Sequence, residues 1–482
     1  METAVSVPEK IHQLGYTLLR SGLTRLQINP EGSKPQTLHS STVLHRFSPQ
    51  SVVQPTTESE IIQTVRESAA QGLKVRAIGA MHSYAPIFST EGVCVVLERY
   101  NRLVELRGNL VTVQAGMTLA ALNETLAHYH LALPIVGAID QQTVSGAIST
   151  ATHGGSLHHP SMSGYVQRLR LIRADGSVLE IDSSEAIFQA VGISMGLLGI
   201  ISTVTFRCVP AFTLQAHGSS MPMDTLLVQF EELHQNNQYL DIKYVPITDK
   251  AQVLTINPST AYTAPETSAL LRKTSLERKI KTFILKGILS LFQHSQFNGL
   301  QRWLVSRHED NIYAPYQANR SDQVLTQLDQ TYYDPIPLHN MEIAVSFDQA
   351  SAVLRVLRNH FQATRRYPNI YIRIRCSAAE DFWLSPAYQR PTCWLDFCEY
   401  PYTGNFFREM AELLKPFDIR SHWGKEIQIE RNYLRQRYEK WDEFLRLRQA
   451  WDPHQLFAND CLDAFFEPAA APIPEPLPAD CF

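Results

Sequence analysis

The sequence predicts an α+β protein built in two parts, and three observations carry that expectation. Residues 52–79 read as a strand, a helix and a second strand in succession. Fourteen of the 22 glycines fall between Gly72 and Gly199 while four lie in the last 264 residues, so one region needs close backbone approach or positive φ and the rest does not. Beyond Phe212 the texture changes to longer helical stretches mixed with strands such as MEIAVSF and IYIRIRC. At 482 residues the chain is long enough for about two to four units, each with a core of its own.

The elements follow in order. Residues 1–50, rich in Ser, Gln and Pro, read as a loosely helical lead-in. VVQP is a short strand closed by Pro55, Thr57 with Glu60 forms a capping box, and IIQTVRESAA is an amphipathic helix stopped at Gly72. KVRAIG is a strand running straight into a glycine-containing loop, the place where cofactors bind in such units. VCVVLE and LVTVQAG continue the strands, and Leu119, Leu122 and Leu126 space a helix that ends before Pro134. A Gly/Thr/Ser-rich segment runs from Gly137 to Gly164, and RLRLIRADGSVLEID is a hairpin whose Asp175-Gly176 pair predicts a type I′ turn. GISMGLLGIISTVTFRCVP is a glycine-rich turn followed by a buried strand. The tail from Pro468, with five prolines in fifteen residues, reads as extended or disordered.

Composition narrows the function. Forty-three basic against 47 acidic side chains leave a net charge of −4, which advertises no nucleic-acid surface. Seven scattered cysteines without a CxxC pair argue against a disulfide framework and a zinc ribbon. The opening METAVSVPEKIHQLGY lacks the basic and apolar runs of a secretory leader, so a reduced, cytoplasmic compartment is expected. No stretch approaches the roughly 20 apolar residues of a membrane span. Lys279–Phe292 reads as a packed amphipathic helix, with peripheral membrane contact as the alternative.

Three segments carry chemistry. In RAIGAMHS (76–83) a tight turn after a strand exposes consecutive amides that can hold a pyrophosphate, with His82 beside whatever ring the cofactor bears. The loop lacks GxGxxG spacing, and a single loop histidine is most often structural. In QQTVSGAISTATHGGSLHHP (141–160) small residues let backbone lie flat against a planar ligand, with hydroxyls and amides free for its polar edge. His153, His158 and His159 have no acidic partner nearby in sequence to orient them, so no metal is expected. RSHWGKEIQ (420–428) places a His, a Trp and a Lys around one glycine, where a partly buried lysine can act electrostatically.

Together VRAIGAMHS, GAIDQQTVSGAISTATHGG, LIRADGSVLEI, GLLGIISTVTFRCVP, EDFWLSPAYQRP, HWGK and DPHQLFAND resemble the vanillyl-alcohol-oxidase or PCMH-type flavoproteins, in the branch of the aldonolactone (L-gulono- and D-arabinono-1,4-lactone) and alditol oxidases, over about residues 45–465. The resemblance implies a two-subdomain FAD domain over 1–210 (core about 45–210), an inserted α+β substrate cap over 211–414 and a return to the FAD domain over 415–467. It implies that Ala77, Ile78, Gly79, Ala80, Met81, His82 and Ser83 wrap the pyrophosphate, and that His82 carries the flavin covalently. Thr143, Ser145, Gly146, Ala147, Thr150, Thr152, His153 and Gly154 would surround the flavin, with Ile201 near the adenine half.

His422 and Lys425 would meet the isoalloxazine and the substrate hydroxyl. The family's acid-x-arginine strand falls on IYIRIRC, where Arg373 occupies the acidic position and Arg375 keeps the arginine. Arg373 thereby suits a carbonyl-bearing or anionic substrate, and Glu342 would balance Arg375. The implied reaction is oxidation of the CH–OH group of a sugar-1,4-lactone, polyol or sugar acid, with Arg375 and Lys425 stabilising charge that develops at the flavin edge. Oxygen is the expected acceptor, giving peroxide. A quinone- or cytochrome-linked dehydrogenase and a fold without catalysis are the alternatives.

Overall fold

Thr57 starts the helix that its spacing predicts. The Thr57 hydroxyl accepts from the Glu60 amide and the Glu60 carboxylate accepts from the Thr57 amide, both at 3.3 Å. The computed structural model describes residues 37–260, 286–292, 294–308, 319–326 and 337–466. The expectations for the first 36 residues, for residues 279–285 and for the proline-rich tail lie outside these, while 286–292 are helical as expected. Residues 37–50, expected to be loosely helical, instead form a small extended pair, Leu38–His39 against Arg46–Phe47.

Strand β1 (Ser51–Val53) leads through helix α1 (Glu58–Ala70) to β2 (Val75–Ile78), and β3 (Val93–Val96) inserts between the two strands. The sheet is parallel throughout, in the order β1-β3-β2. An antiparallel sheet follows from β4 (Leu103–Arg107), β5 (Leu110–Gln114), β6 (Val166–Ile172), β7 (Val178–Asp182) and β8 (Ile200–Arg207), in the order β7-β6-β8-β5-β4. Between β5 and β6 lie α2 (Leu119–His128) and the short α3 (Val144–Ser149).

The hairpin β6-β7 forms where expected but not with the expected turn. Arg173 and Ser177 pair, leaving three loop residues, and only Gly176 has positive φ (+73°). A type I′ turn needs two such residues; a three-residue loop closed by a left-handed glycine needs one. The Asp175 carboxylate accepts from the Ser177 amide and completes the turn.

The second half mixes helices with strands, as expected, and holds one eight-stranded sheet. The sheet comprises β9 (Thr213–Pro222), β10 (Tyr239–Val245), β11 (Lys250–Pro258), β12 (Asn319–Arg320), β13 (His339–Ser346), β14 (Ile372–Ser377), β15 (Thr392–Glu399) and β16 (Arg420–Ser421). The order is β12-β9-β11-β10-β14-β15-β13-β16, antiparallel at every pairing. Ile242, Ile374, Leu395 and Ile343 join one hydrophobic cluster with Leu226 and Phe230 of α4 (Met223–Asn236) and Leu357 of α5 (Ala350–Thr364). Side chains alternate across a strand, so the opposite face of the same strands receives Asp241, Lys243, Arg373, Arg375, Asp396 and Glu342. All six are buried.

The C-terminal helices α6 (Asn405–Leu414), α7 (Trp441–Trp451) and α8 (Asp460–Phe466) complete the fold. Asp452 caps the turn after α7 by accepting from the Leu456 and Phe457 amides, and the Val75 amide of β2 donates to the Leu456 carbonyl at 2.7 Å. Beside it the buried Arg76 guanidinium donates to the carbonyls of Ile87, Met195 and Phe457, each at 2.7 Å. The stretch that follows the strand and two chain-distant loops are thus tied to the strand that feeds residues 79–83.

Candidate active site

The loop after β2 is shaped by what its carbonyls do. Met81 adopts a left-handed conformation (φ +52°), the Met81 carbonyl accepts from the Ser41 amide and the Ala80 carbonyl from the Ser41 hydroxyl. Among the described residues no protein group takes the amides of Ala80, Met81, His82 or Ser83. Such a run of uncommitted amides is a concavity for an anion. Ala77 and Ile78 end β2, and Gly79 presses against the cap of α3: a Cβ there would stand 2.0 Å from Thr143 Oγ1. His82 is partly covered, and burial pushes its imidazole down to about 4.

The second segment holds its shape by consuming its own hydroxyls, contrary to the expectation that they stay free. Thr143 caps the Gly146 amide, Ser145 donates to the Ala115 carbonyl, Thr150 donates to Gly146, and Thr152 accepts from Gln142. Ala147 is fully buried, and Ile201 is buried in β8 beside a bulge. Further on, β10 and β14 diverge beyond Ile242 and Ile374, and the segment wedges into the fork. The Leu240 amide donates to the Gly155 carbonyl and the Ser156 amide to the Cys376 carbonyl, both at 2.7 Å. A Cβ at Gly155 would lie 2.2 Å from the Leu240 carbonyl, so only glycine admits this approach.

The wedge delivers His153 and Gly154 to the charged face of the sheet. His153 stacks on Trp394 at 3.9 Å, and its Nε2 lies 3.3 Å from Glu342 Oε1. The sequence offers no nearby acid for this histidine, but the fold supplies one from β13. Arg375 donates to the same Glu342 oxygen at 3.1 Å and to the His153 carbonyl at 3.4 Å. Burial opposes ionisation of Glu342, yet His153, Arg375 and Lys425 hold its carboxyl well below the usual range. His159 points elsewhere, bonding Tyr165 and Gln238, and the His158 amide donates to Ser156.

The third segment arrives on β16, at the edge of the same sheet. The His422 amide donates to the Glu342 carbonyl at 3.1 Å, and the Gly424 carbonyl accepts from the Tyr84 amide at 2.8 Å. Trp423 is buried with its Nε1 on the Leu384 carbonyl. Burial pushes the His422 imidazole down to about 3. Lys425 places its Nζ 4.8 Å over the Tyr84 ring and 4.0 Å from Asp396 Oδ1. Arg373, expected at the substrate, commits Nε and Nη2 to the buried Asp241. Only a cavity of about 10 Å³, the room of a single water, separates it from Gly154 and Arg375.

His153, Glu342 and His422 converge as a metal site would. The hydrogen bond to the His422 ring argues against a ligand role for it. The Gly424 amide donates to His422 Nδ1, so in the neutral ring Nε2 carries the hydrogen and neither nitrogen has a lone pair to spare. Glu342 Oε1 is already shared by Arg375.

Sequence reasoning leaves out Asp241, Lys243 and Asp396. The signal is present in LDIKYV and WLDF, where charges alternate with apolar residues in strands too buried to be solvated. Four atoms on this floor, His153 Nε2, Arg375 Nε, Glu342 Oε2 and Asp396 Oδ1, are buried without a hydrogen-bond partner. A site with open amides at one end and unsatisfied donors and acceptors at the other fits a phosphate-bearing redox cofactor and a polar substrate.

Comparison with known proteins agrees. Residues 49–182 match the FAD binding domain family, and residues 204–465 match the D-arabinono-1,4-lactone oxidase family. The L-gulono-1,4-lactone dehydrogenase of Mycobacterium tuberculosis is 30% identical over 431 residues, covering 86% of this chain and 95% of that protein. The L-gulonolactone oxidase of Mus musculus is 26% identical, covering 87% and 96%. In the solved structures, cholesterol oxidase from Brevibacterium sterolicum shares the fold with a TM-score of 0.75 at 16% identity, over 92% of this chain and 100% of that one. The protein is therefore an FAD-binding oxidoreductase of the PCMH type. The chain belongs to the D-arabinono-1,4-lactone oxidase family.

Proposed function

We propose that this protein oxidises a CH–OH group of a sugar-1,4-lactone to the carbonyl, using FAD. The observation that carries the reading is the meeting of the amide-lined loop, Glu342–Arg375 and Lys425 around one buried floor, in a chain whose relatives are named for gulono- and arabinono-lactones. Ala80–Ser83 and the segment from Thr143 to Gly154 would hold the cofactor. Bound FAD supplies the acceptor for the two electrons of the hydride. The protein's own part is to hold the carbinol carbon in position and to set cations where negative charge grows. Arg375, fixed by Glu342 and the His153 carbonyl, and Lys425, fixed over Tyr84, are those cations; His422 anchors the Lys425 loop. The neutral His82 ring is in the protonation state that covalent attachment to the flavin requires, and we assign the attachment there.

The electron acceptor has two readings. Oxygen suits the oxidases among the relatives, whereas the 30% identical mycobacterial relative is named a dehydrogenase. No helix among the described residues is long and apolar enough to cross a membrane. The six described cysteines are free thiols, which supports the reducing, cytoplasmic compartment we infer.

Purified protein incubated with L-gulono- and D-arabinono-1,4-lactone, alditols and sugar acids tests substrate and acceptor together, by peroxide release and by dye reduction. Turnover of the lactones is expected. Turnover of alditols alone would overturn the substrate class. His82→Ala should release flavin into the acid supernatant, and retention would show the attachment lies elsewhere.

A further inference from the structure

Resting on the lactone reading above, we propose that Asp396 is a substrate-binding residue: its buried carboxylate accepts a hydrogen bond from one hydroxyl of the polyhydroxylated lactone, which bridges it to Lys425. Asp396 sits on β15 directly opposite Glu342 of β13 and Arg373 of β14, on the charged face of the sheet. Two carboxylates directly opposite one another disfavour a sheet. Here they are interleaved with the cations Arg375 and Lys425, whose fields bear on both.

The Asp396 side chain is 7% exposed, and Oδ1 has no hydrogen-bond donor. Lys425 Nζ, at 4.0 Å, is beyond hydrogen-bond range. A hydroxyl placed between them would donate to Oδ1 and accept from Nζ, satisfying both. Arg375 Nε, also unsatisfied on this floor, asks for an acceptor, and Glu342 Oε2 asks for a donor. An unpaired donor beside unpaired acceptors matches a neutral polyhydroxylated molecule. Arg373, matched by Asp241, adds no unpaired positive charge to favour an anion.

The test is a steady-state panel of the parent 1,4-lactone and analogues lacking one hydroxyl at a time, run on wild type, Asp396→Ala and Asp396→Asn. Melting temperature and flavin content serve as controls of folding. For the parent lactone, Asp396→Ala should raise KM by at least tenfold with kcat nearly unchanged. It should also lose the wild type's discrimination against one particular deoxy analogue, while Asp396→Asn, which keeps an acceptor oxygen, retains part of it. Perturbation of the bound flavin's absorbance by a non-oxidised deoxy analogue should show the same pattern of affinities. Unchanged KM, or an equal loss toward every analogue, would overturn the proposal, and if Asp396→Ala fails to fold the Asn variant decides on the same criteria. A wild type that oxidises no lactone at all overturns the functional reading first, and shows in the wild-type column before any variant is compared.

Discussion

The Tyr84 amide donates to the Gly424 carbonyl at 2.8 Å, and the Tyr84 ring lies under the Lys425 ammonium. This contact joins the loop at the end of the parallel sheet to the turn that follows the edge strand of the large antiparallel sheet. The cation proposed to act on substrate is therefore placed by both halves of the protein at once. A lysine at the end of an isolated loop would sample many rotamers; this one is held between a ring and a carboxylate, and such preorganisation is what a transition state rewards.

Removing Glu342 should expose the role of its network. Glu342→Gln leaves Arg375 and His153 without their shared anion, so kcat/KM is expected to fall by about 10²-fold and stability by about 3 kcal/mol. Denaturant titration beside steady-state kinetics checks both; a stable variant with unchanged kinetics would show that Glu342 is a bystander.

Arg375→Lys should be nearly as damaging as Arg375→Ala. One ammonium cannot reach Glu342 Oε1 and the His153 carbonyl together as the guanidinium does. The expected loss in kcat/KM is about 10²-fold for either, and full activity in the lysine variant would reduce the arginine to a point charge.

Gly79→Ala brings a methyl group against Thr143 Oγ1. Overpacking of this kind costs about 1–3 kcal/mol and falls where the cofactor loop meets α3, so flavin occupancy should drop. Thr143→Ala in the same chain removes the obstructing oxygen and should restore part of it, as the ratio of flavin to protein absorbance will show.

Stability should decline on mild acidification. Burial pushes the imidazoles of His159 and His234 down to about 4 and that of His422 to about 3, against about 6.5 in an unfolded chain. Between those values the unfolded state binds more protons, so stability rises with pH across the window. The contribution is intact above about pH 6.5 and is lost as pH falls toward the folded values. Glu380 and Asp452, which burial raises, act oppositely, favouring the folded state as pH falls and disfavouring it as pH rises through their folded values. The melting temperature is expected to drop between pH 7 and 5. His234→Phe, set between Phe230 and Phe347, should lessen the drop.

What the sequence disclosed were features decided locally. The Thr57–Glu60 box and the hairpin around Asp175-Gly176 each depend on neighbours within a few residues. The type I′ expectation failed because a dipeptide preference does not specify loop length, which the pairing of Arg173 with Ser177 sets. For Asp396 and Asp241 the strand pattern shows a buried charge but not its role, for another reason. A charge in an apolar strand acquires its meaning from the strands beside it, and the pairing of Arg373 with Asp396 and of Asp396 with Glu342 is fixed only by tertiary register. The acid beside His153 likewise comes from β13, far along the chain.

Anaerobic addition of a 1,4-lactone to the purified flavoprotein, followed by flavin absorbance, tests the central claim most directly. L-gulono- or D-arabinono-1,4-lactone should bleach the flavin band in wild type and do so about 10²-fold more slowly in Arg375→Ala. A fully loaded flavin that no 1,4-lactone bleaches, or one that bleaches equally fast without Arg375, would contradict it.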